Sequence, residues 1–452
     1  MKIGIDAIGV SFPSLYLPIE ILAKHRNIEV DKLKKGLGLE RISLLDANED
    51  PISQAANAVL NLIENESINL SDVSKIYVAT ESSLDNSKPI GSYIVSLIEQ
   101  QLGARKLQNC DTVDFTFACI GGVDALLNCM DYIRLHPTEH AIVVTTDKAK
   151  YDLNSTGEYT QGAGAVALLI KENPSIIALE PTVGVATEGV FDFFKPYHTF
   201  SKSDFQTNTS FFEDLNVLEQ EISLHKEQPV FDGQYSNECY INRISEAYRH
   251  FCSKQNTSKQ PYEDWHQIWM HLPYAFQGRR TFISIYAENN PDLLAQQDGE
   301  NDKEKFKNLA KSTSYLKLVH DKIKPSEYVS GMIGNIYTGS IFLGMIGSLT
   351  QLLSDKNENL VDKKMGFIAY GSGSKSKVFE GIMQENWQHA IEKIQLIKKI
   401  NLASPVDFET YEKLHKKQLS QPVNQNQKGF VLSHIEKEKP NLKGARYYRF
   451  VE

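Results

Sequence analysis

Short apolar runs alternate with stretches of helical period along most of this chain, and this alternation is what most restricts its fold. Apolar runs bounded by turn residues are typical of buried strands, and apolar residues three and four apart are typical of helices. Strands that alternate with helices indicate an α/β protein. In the first part of the chain, strands are predicted over 3–10, 75–80, 112–118, 141–146 and 163–170. Helices are predicted over 19–24, 50–63, 92–101 and 122–135.

The second part of the chain repeats this rhythm less regularly. Strands are predicted over 176–186, 268–272, 365–370, 429–435 and 447–451, and helices over 239–251 and 338–353. Two similar halves are consistent with a duplicated α/β unit, although no repeat is visible residue by residue.

Polar stretches interrupt the pattern at 198–228, 288–314 and 405–428. The first carries scattered aromatic residues, the second is rich in Asn, Asp, Gln, Glu and Lys, and the third is rich in Lys and Gln. Because strand and helix signals resume after each stretch, we interpret all three as surface excursions and not as domain linkers. Their charges are expected to form a solvated face.

Composition and charge argue against several classes of protein. With 452 residues, 41% of them hydrophobic and 23% charged, the chain has the composition of a globular protein. A net charge of −9 argues against nucleic acids and anionic membrane surfaces as partners. The five cysteines include no Cys-x-x-Cys pair, so neither a disulfide framework nor a zinc site is indicated, and a reducing compartment fits best. Without an apolar signal segment or a membrane-length run, we expect a cytoplasmic protein.

Cys119 lies where the predicted strand over 112–118 gives way to the predicted helix, and Gly121 and Gly122 follow it closely. Free backbone N–H groups and the positive dipole end at a helix N-terminus favour the thiolate over the thiol. The glycines would let a substrate carbonyl approach the backbone. This placement predicts a catalytic nucleophile, and the alternative is a buried structural cysteine.

Two other predicted strand ends carry candidate partners for Cys119. Glu81 is the first charged residue after the strand over 75–80, and a carboxylate held in a partly dry cleft could act as a general base. His271 leaves an apolar strand at the edge where open α/β sheets place their ligands. A salt-bridged glutamate and a core histidine are the respective alternatives.

Glycine-rich segments begin at Gly334 and at Tyr370, and the second contains Ser372. Segments of this kind supply backbone N–H groups to an oxyanion or a phosphate, although a tight turn is the commoner explanation.

These blocks together resemble the 3-hydroxy-3-methylglutaryl-CoA synthase family of condensing enzymes. The matching blocks run in order to about residue 380, and they begin at Ala79, Phe117, Asp147, Glu158, Asp192, Pro229, His271, Gly334 and Tyr370. The resemblance implies a thiolase-like fold, with two fused βαβαβαββ halves in a five-layered α-β-α-β-α arrangement. We expect the halves to span residues 1–172 and 173–452, with surface insertions near 198–228 and 288–314.

The resemblance also implies roles for single residues. Cys119 would carry the acetyl group of acetyl-CoA, Glu81 would deprotonate its methyl group, and His271 would polarise the carbonyl of acetoacetyl-CoA. The backbone amides of Cys119 and Ser372 would form the oxyanion hole. Residues expected to bind substrate are Tyr151, Thr160, Asn335 and Ser372, and the expected supporting acidic residues are Asp85, Asp147 and Asp192.

The chain departs from the family pattern in two places. Residues 198–228 stand where relatives have a short link, and Phe276 stands where the family often has a lysine. Basic charge reappears at Arg279 and Arg280, which are our candidates for the CoA phosphates because arginine forks suit phosphate oxygens. Two solvated arginines on a helix are the alternative.

The resemblance implies an acyltransferase of the mevalonate route to isoprenoids, active as a homodimer on small CoA thioesters without a metal or redox cofactor. A close alternative is a branching enzyme that takes its acyl groups from acyl carrier protein in polyketide assembly. The net charge of −9 offers such an acidic carrier no obvious basic docking face. More distant alternatives are a ketoacyl synthase III-like enzyme, which would lack a counterpart of Glu81, and a non-catalytic homologue.

Overall fold

A computed structural model describes residues 1–204, 221–255, 260–355 and 359–452. Its strands are β1 (Ile3–Ser11), β2 (Leu15–Pro18), β3 (Arg41–Leu44), β4 (Val73–Ala79), β5 (Asp111–Phe115), β6 (His140–Ala149), β7 (Gly162–Glu172), β8 (Ile177–Leu179), β9 (Gly184–Thr187), β10 (Phe193–Phe194), β11 (Tyr197–Ser201), β12 (Glu221–His225), β13 (Val230–Phe231), β14 (Trp265–Met270), β15 (Lys364–Gly371), β16 (Lys375–Met383), β17 (Ser404–Pro405), β18 (Gly429–Ile435) and β19 (Arg446–Val451).

The α-helices are α1 (Ile19–His25), α2 (Val30–Leu37), α3 (Pro51–Glu66), α4 (Ile90–Leu102), α5 (Gly121–Leu135), α6 (Gly233–Lys254), α7 (Pro261–Asp264), α8 (Gln277–Asn289), α9 (Pro291–Ala295), α10 (Asp302–Leu309), α11 (Thr313–Leu318), α12 (Glu327–Ile333), α13 (Ser340–Ser354), α14 (Trp387–Ile394), α15 (Leu396–Ile400) and α16 (Phe408–His415). A π-helical turn, Val319–Ile323, follows α11. Among the described residues, no helix is both long and apolar enough to cross a bilayer.

The first half of the chain builds a five-stranded sheet in the order β5-β4-β6-β7-β1. Strand β4 runs parallel to β5 and β6, whereas β7 is antiparallel to both of its neighbours. The first nine residues of β7, Gly162 to Ile170, are all buried. Strands covered on both faces are apolar throughout, which is why the sequence predicted this strand from a continuous apolar run.

The second half builds a sheet in the order β14-β15-β16-β8. Strand β14 runs parallel to β15, and β16 is antiparallel to both β15 and β8. If the main strands of each half are numbered in chain order, the first sheet follows 3-2-4-5-1 and the second follows 2-3-4-1. The two orders agree once the third strand of the first half, β5, which lies at the edge, is left out of the numbering. Strand β1 pairs with β8 and joins the sheets. The predicted duplicated α/β unit is therefore confirmed, whereas the boundary between residues 172 and 173 stays a prediction.

Helices lie in three layers around the two sheets. Helices α3 and α4 pack on the outer face of the first sheet, α5 and α13 lie between the sheets, and α6 and α8 cover the second sheet. Because α13 is enclosed in the middle layer, its residues from Ser340 to Leu349 are all buried. A helix that is apolar all round belongs in such a position. The predicted α-β-α-β-α arrangement is confirmed.

One pair of glycines reveals the duplication at the level of residues. A Cβ on Gly9 in β1 would lie 2.2 Å from the carbonyl oxygen of Ala58 on α3. A Cβ on Gly184 in β9 would lie 2.3 Å from the carbonyl oxygen of Ala247 on α6. Each glycine therefore allows the first long helix of its half to lie directly on a strand, a match that the surrounding sequences do not reveal.

The predicted surface excursions carry core residues in two of the three cases. The stretch over 288–314 contains α9, α10 and the start of α11, and Leu309 is completely buried. The stretch over 405–428 contains α16, whose Tyr411 is also completely buried. In the third, β11 and β12 pair as a hairpin, and residues 205–220 lie outside the described part of the chain.

Candidate active site

Cys119 lies on a tight turn between the end of β5 and the start of α5. The preceding residue, Ala118, has a φ of +42°, a left-handed conformation that residues other than glycine rarely adopt. A Cβ on Gly122 would lie 2.7 Å from the carbonyl oxygen of Thr338. Packing of α5 against the loop before α13 therefore requires this glycine, whatever approach a substrate makes. The predicted strand over 112–118 ends at Phe115, because the chain turns here.

The Cys119 thiol contacts the Glu81 carboxylate directly. The Sγ atom donates a hydrogen bond of 2.9 Å to Oε1 of Glu81, which follows β4. Burial, followed by the negative charge of Glu81, raises the pKa of the Cys119 thiol well above its ordinary value. The prediction that the helix N-terminus holds Cys119 as a thiolate is therefore wrong for this state. The pair is a thiol with a proton acceptor already in place.

Asp147, at the end of β6, fixes the backbone that carries Glu81. Its Oδ1 accepts from the backbone N–H of Glu81 at 2.7 Å and from the Ser82 hydroxyl at 2.9 Å. Its Oδ2 accepts from the N–H of Thr338 at 3.0 Å. Burial and the neighbouring Glu81 charge raise the pKa of Asp147 to about 7. This carboxyl group thus ties the Glu81 loop to the segment before α13.

Lys195 is the cation beside Glu81, and sequence reasoning gave it no role. Its Nζ lies 3.6 Å from Oε2 of Glu81 and donates to the Glu81 carbonyl oxygen at 3.3 Å. The same Nζ lies 4.5 Å from the centre of the Tyr337 ring. The sequence feature that could have indicated a role for Lys195 is its position directly after β10, between aromatic residues and a proline.

His271 follows β14, as predicted, and its ring is oriented by Ser340 at the start of α13. The Nδ1 atom lies 2.6 Å from the Ser340 hydroxyl oxygen, which also accepts from the N–H of Leu272 at 3.0 Å. Burial lowers the pKa of His271 to about 3, so the imidazole is neutral. If Ser340 donates its single proton to Nδ1, the ring proton lies on Nε2, where it is available as a hydrogen-bond donor.

One cavity of about 430 Å³ brings most of the predicted residues together, and we call it the substrate cavity. The predicted residues that line it are Cys119, Tyr151, Thr160, His271, Arg280, Asn335 and Ser372. Asn335 is held from both sides, since its N–H donates to Thr160 O at 3.0 Å and its Oδ1 accepts from Tyr337 N at 2.8 Å. The cavity therefore combines a nucleophile, a neutral imidazole and amide groups.

Asp192 anchors the loop that carries Ser372. Its carboxylate accepts from the Tyr370 hydroxyl at 2.6 Å and from the N–H of Gly373 at 2.7 Å. A Cβ on Gly371 would lie 2.9 Å from the carbonyl oxygen of Phe117, so this loop packs on the turn of Cys119. Asp192 thus acts through the loop and not on the cavity itself.

The structure does not bring every predicted residue to the substrate cavity. Arg279 pairs with the buried Glu327 and stacks on Phe276, outside the residues that line this cavity. Arg280 lines it and donates to the Gly36 carbonyl at 2.6 Å. Asp85 is exposed in the loop after β4, where its Oδ1 accepts from the N–H groups of two residues that follow in that loop. These backbone hydrogen bonds lower the pKa of Asp85.

A buried polar network supports the wall that carries Tyr151, and sequence reasoning missed it. The Tyr411 hydroxyl of α16 donates to Glu158 at 2.8 Å and accepts from Gln161 Nε2 at 2.9 Å. Oε1 of Gln161 accepts from the N–H of Tyr151 at 2.9 Å. Arg26, directly after α1, holds the other side of Glu158 through a two-pronged ion pair. Because α16 is polar in composition, its sequence gave little indication of this role, and Tyr411 is its single buried residue.

Residues 1–175 match the sequence model described as hydroxymethylglutaryl-coenzyme A synthase N terminal, and residues 221–434 match its C-terminal counterpart. Hydroxymethylglutaryl-CoA synthase B of Dictyostelium discoideum is 31% identical over 396 residues, which is 83% of this chain and 77% of that protein. The synthase of Enterococcus faecalis is 28% identical over 94% of both chains. A solved structure of MvaS with 3-hydroxy-3-methylglutaryl coenzyme A is 27% identical, with a TM-score of 0.81 over 100% of this chain and 99% of that one.

Proposed function

Because the chain belongs to the hydroxymethylglutaryl-CoA synthase family, we propose that it condenses acetyl-CoA with acetoacetyl-CoA and water to give 3-hydroxy-3-methylglutaryl-CoA and CoA. The chain is an enzyme of the acyltransferase class, in which the transferred acyl group is converted into an alkyl group. One observation carries the assignment of the chemistry: the Cys119 thiol lies 2.9 Å from the Glu81 carboxylate beside a cavity that also holds His271.

The first step is acetylation of Cys119. As the Sγ–H proton passes to Glu81, the sulfur attacks the thioester carbon of acetyl-CoA, and a new C–S bond replaces the bond to the CoA sulfur. The departing CoA sulfur takes up the proton. A cysteine whose pKa is raised needs this adjacent base to become nucleophilic.

The second step is carbon–carbon bond formation. Glu81 removes a proton from the acetyl methyl group, and backbone N–H groups at Cys119 and Ser372 stabilise the enolate oxygen. The carbanion attacks the ketone carbon of acetoacetyl-CoA. His271 donates its Nε2 proton to the oxygen that becomes the hydroxyl group, a role that suits a neutral imidazole with its other nitrogen held by Ser340. The proton that Glu81 took from the methyl group returns to Nε2 by way of solvent, so Glu81 is a carboxylate again before hydrolysis.

The third step is hydrolysis of the thioester that joins the product to Cys119. The oxygen of water attacks the carbonyl carbon, the C–S bond breaks, and Cys119 is regenerated. These steps consist of proton transfer, acyl transfer, carbon–carbon bond formation and hydrolysis, so we propose that the reaction needs no metal or redox cofactor.

We test the assignment with thiol release from purified protein and intact-protein mass. Wild type should acetylate on Cys119 with acetyl-CoA and release thiol when acetoacetyl-CoA is added. Cys119→Ala should do neither, whereas replacement of Cys129, a buried cysteine on the helix α5 that follows Cys119, by alanine (Cys129→Ala) should leave the behaviour of the wild type unchanged. Glu81→Gln should lose condensation by about 100-fold or more, the usual contribution of a general base.

The same assay separates free CoA thioesters from acyl groups on a carrier protein. Activity only with carrier-bound groups would replace the proposed substrates by those of the branching enzymes.

Further proposals concern the setting of the enzyme. CoA thioesters are small molecules, and the product would enter the mevalonate route to isoprenoids. A cytoplasmic location is supported by cysteines that are free throughout the described residues. A homodimer is supported by the open edge of β5, where Val113 is 42% exposed.

A further inference from the structure

Glu81 lies between two cavities, of which the proposed reaction uses one. The second cavity, of about 470 Å³, is lined by Glu81, Ser83, Lys195, Lys148 and Ala47, and we call it the rear cavity. Among the residues that the structure describes, Glu81 and Lys195 line the rear cavity and do not line the substrate cavity. Cys119 lines the substrate cavity alone. The Cys119–Glu81 hydrogen bond therefore joins the linings of the two cavities.

The lining of the rear cavity is highly charged, which suits a water-filled space. Its charged residues are Lys148, Lys195, Lys417 and Arg446, together with Asp46, Glu49, Asp50, Glu81 and Glu227. Each of the four cations lies within ion-pair distance of an acidic residue that also lines the cavity: Lys148 at 3.9 Å and Lys417 at 3.1 Å from Glu227, Lys195 at 3.6 Å from Glu81, and Arg446 at 3.1 Å from Asp50. Ion pairs on a cavity wall still leave hydrogen-bond donors and acceptors that bound water can satisfy. At ~30 Å³ for each molecule, a space of this size holds on the order of 15 waters.

The walls of the rear cavity come from parts of the chain that the substrate cavity does not use. Leu414 lies at the end of α16, Lys417 lies two residues after that helix, and Arg446 is the first residue of β19. Glu227 follows β12 and also lies 3.0 Å from Lys150 and 3.1 Å from Lys417. These ion pairs lower the pKa of Glu227 to about 2, so it is ionised under all working conditions. The segment after β12 is thus held against this wall.

The third step of the reaction needs water when the substrate cavity is occupied. At that stage the product acyl group is bonded at one end to Cys119 and at the other end to CoA. The acyl chain and the CoA arm then fill the route by which the substrates entered, whereas the side of Glu81 that faces the rear cavity remains free.

We propose that the rear cavity delivers the water that hydrolyses the acyl-Cys119 thioester and carries the released proton to solvent. A water held on Glu81 gives one proton to the carboxylate as its oxygen bonds to the thioester carbon. The C–S bond breaks, and the Cys119 sulfur takes the proton from Glu81. The new carboxylic acid ionises, and this proton leaves through the rear cavity. This inference rests on the proposed function.

The test fills the rear cavity from two separate walls. Ser83→Leu and Ala47→Leu place a larger apolar side chain in it, and Ser83→Ala is the matched control. We expect both leucine variants to acetylate and condense at the wild-type rate in rapid-quench experiments. Hydrolysis should slow about tenfold, so that the product adduct on Cys119 accumulates and is seen as added mass on the intact protein. The alanine variant should show no adduct.

Three outcomes would overturn the inference. Hydrolysis at the wild-type rate in both leucine variants would show that water enters by another route. An equal slowing of acetylation and hydrolysis would show a general effect on Glu81, and an adduct in the alanine variant would show an effect of the Ser83 hydroxyl. Failure of the proposed function is distinguishable, because wild-type Cys119 would then acquire no acetyl group at all.

Discussion

Cys119 and Glu81 form a functional unit at the scale of single residues. The raised pKa of the thiol keeps the proton on sulfur, and in the proposed mechanism the carboxylate at 2.9 Å takes this proton when a substrate arrives. A thiol in this state resists oxidation better than a permanent thiolate, because the thiolate is the reactive species. The same carboxylate is then available, without movement of the backbone, for the methyl proton of the acetyl group.

Positions could be predicted from the sequence for the three principal residues, but their environment could not. Cys119, Glu81 and His271 each follow a predicted strand, and the strand ends converge in the fold. The raised pKa of Cys119 depends on how closely Glu81 approaches from another strand, which no spacing along the chain reveals. Lys195 was missed because it follows a two-residue strand that has no periodic pattern.

Ser340 is expected to position His271 by holding Nδ1. Ser340→Ala removes this partner, so the ring is free to adopt the other tautomer, and condensation should fall about tenfold or more while acetylation of Cys119 stays unchanged. Single-turnover measurements of both half-reactions check this. Ser348→Ala is the matched control, because Ser348 is equally buried on α13 and contacts Gln267 instead. Equal losses in the two variants would rule out a specific role for Ser340.

At the scale of elements, α16 shows a contact that composition alone could not predict. The polar stretch over 405–428 predicted a solvent-exposed segment, and seven of the eight residues of α16 are indeed not buried. Its one buried residue, Tyr411, nevertheless completes the network behind Tyr151. Regular strands and helices were predictable because their periodicity spans many residues, whereas a single buried side chain produces no periodic pattern in the sequence.

Tyr411→Phe should loosen the wall of the substrate cavity. Loss of its hydroxyl leaves the buried Glu158 and Gln161 short of a partner, which should lower the free energy of unfolding by about 1–3 kcal/mol. We also expect the KM for acetoacetyl-CoA to rise several-fold with little change in kcat. Tyr315→Phe is the control, since that hydroxyl is also buried but donates to Arg279 O at 2.7 Å. Steady-state kinetics and urea unfolding of both variants check the prediction, and equal KM values would contradict it.

At the scale of the whole molecule, burial of neutral His271 links stability to pH. Its pKa is about 3 in the folded protein and about 6.5 when unfolded, so the unfolded chain binds more protons between these values. The contribution of His271 is therefore complete above pH 6.5 and is lost as the pH falls towards 3.

Relative to His271→Asn, the free energy of unfolding of the wild type should fall by about 1.4 kcal/mol per pH unit between pH 5.5 and 4.5. Urea titrations across this range measure it. His434→Asn, at an exposed position, is the control and should follow the wild type. Parallel curves for wild type and His271→Asn would contradict the burial of a neutral ring.

The open edge of β5 should be the contact between two copies of the chain. Within the described residues β5 pairs with β4 on one side only, and Val113 is 42% exposed. Val113→Arg would place two like charges close together across a two-fold axis and should shift the protein from dimer to monomer in sedimentation velocity. Leu135→Arg, on a residue that is 79% exposed at the end of α5, is the control. A Val113→Arg protein that stays dimeric would place the contact elsewhere.

The second sheet lacks a counterpart of β5, and its outer strand β14 meets no further strand among the described residues. Instead the π-helical turn packs along it, and Gln267 Nε2 donates to the carbonyl oxygen of Asp321 at 2.9 Å. Within the described residues, the main sheet therefore has one unpaired edge, at β5, and one covered edge, at β14. If two copies meet through their β5 edges, as predicted, the main sheet keeps no open edge among the described residues. The missing strand that breaks the internal symmetry would then also protect the protein from polymerising into fibres.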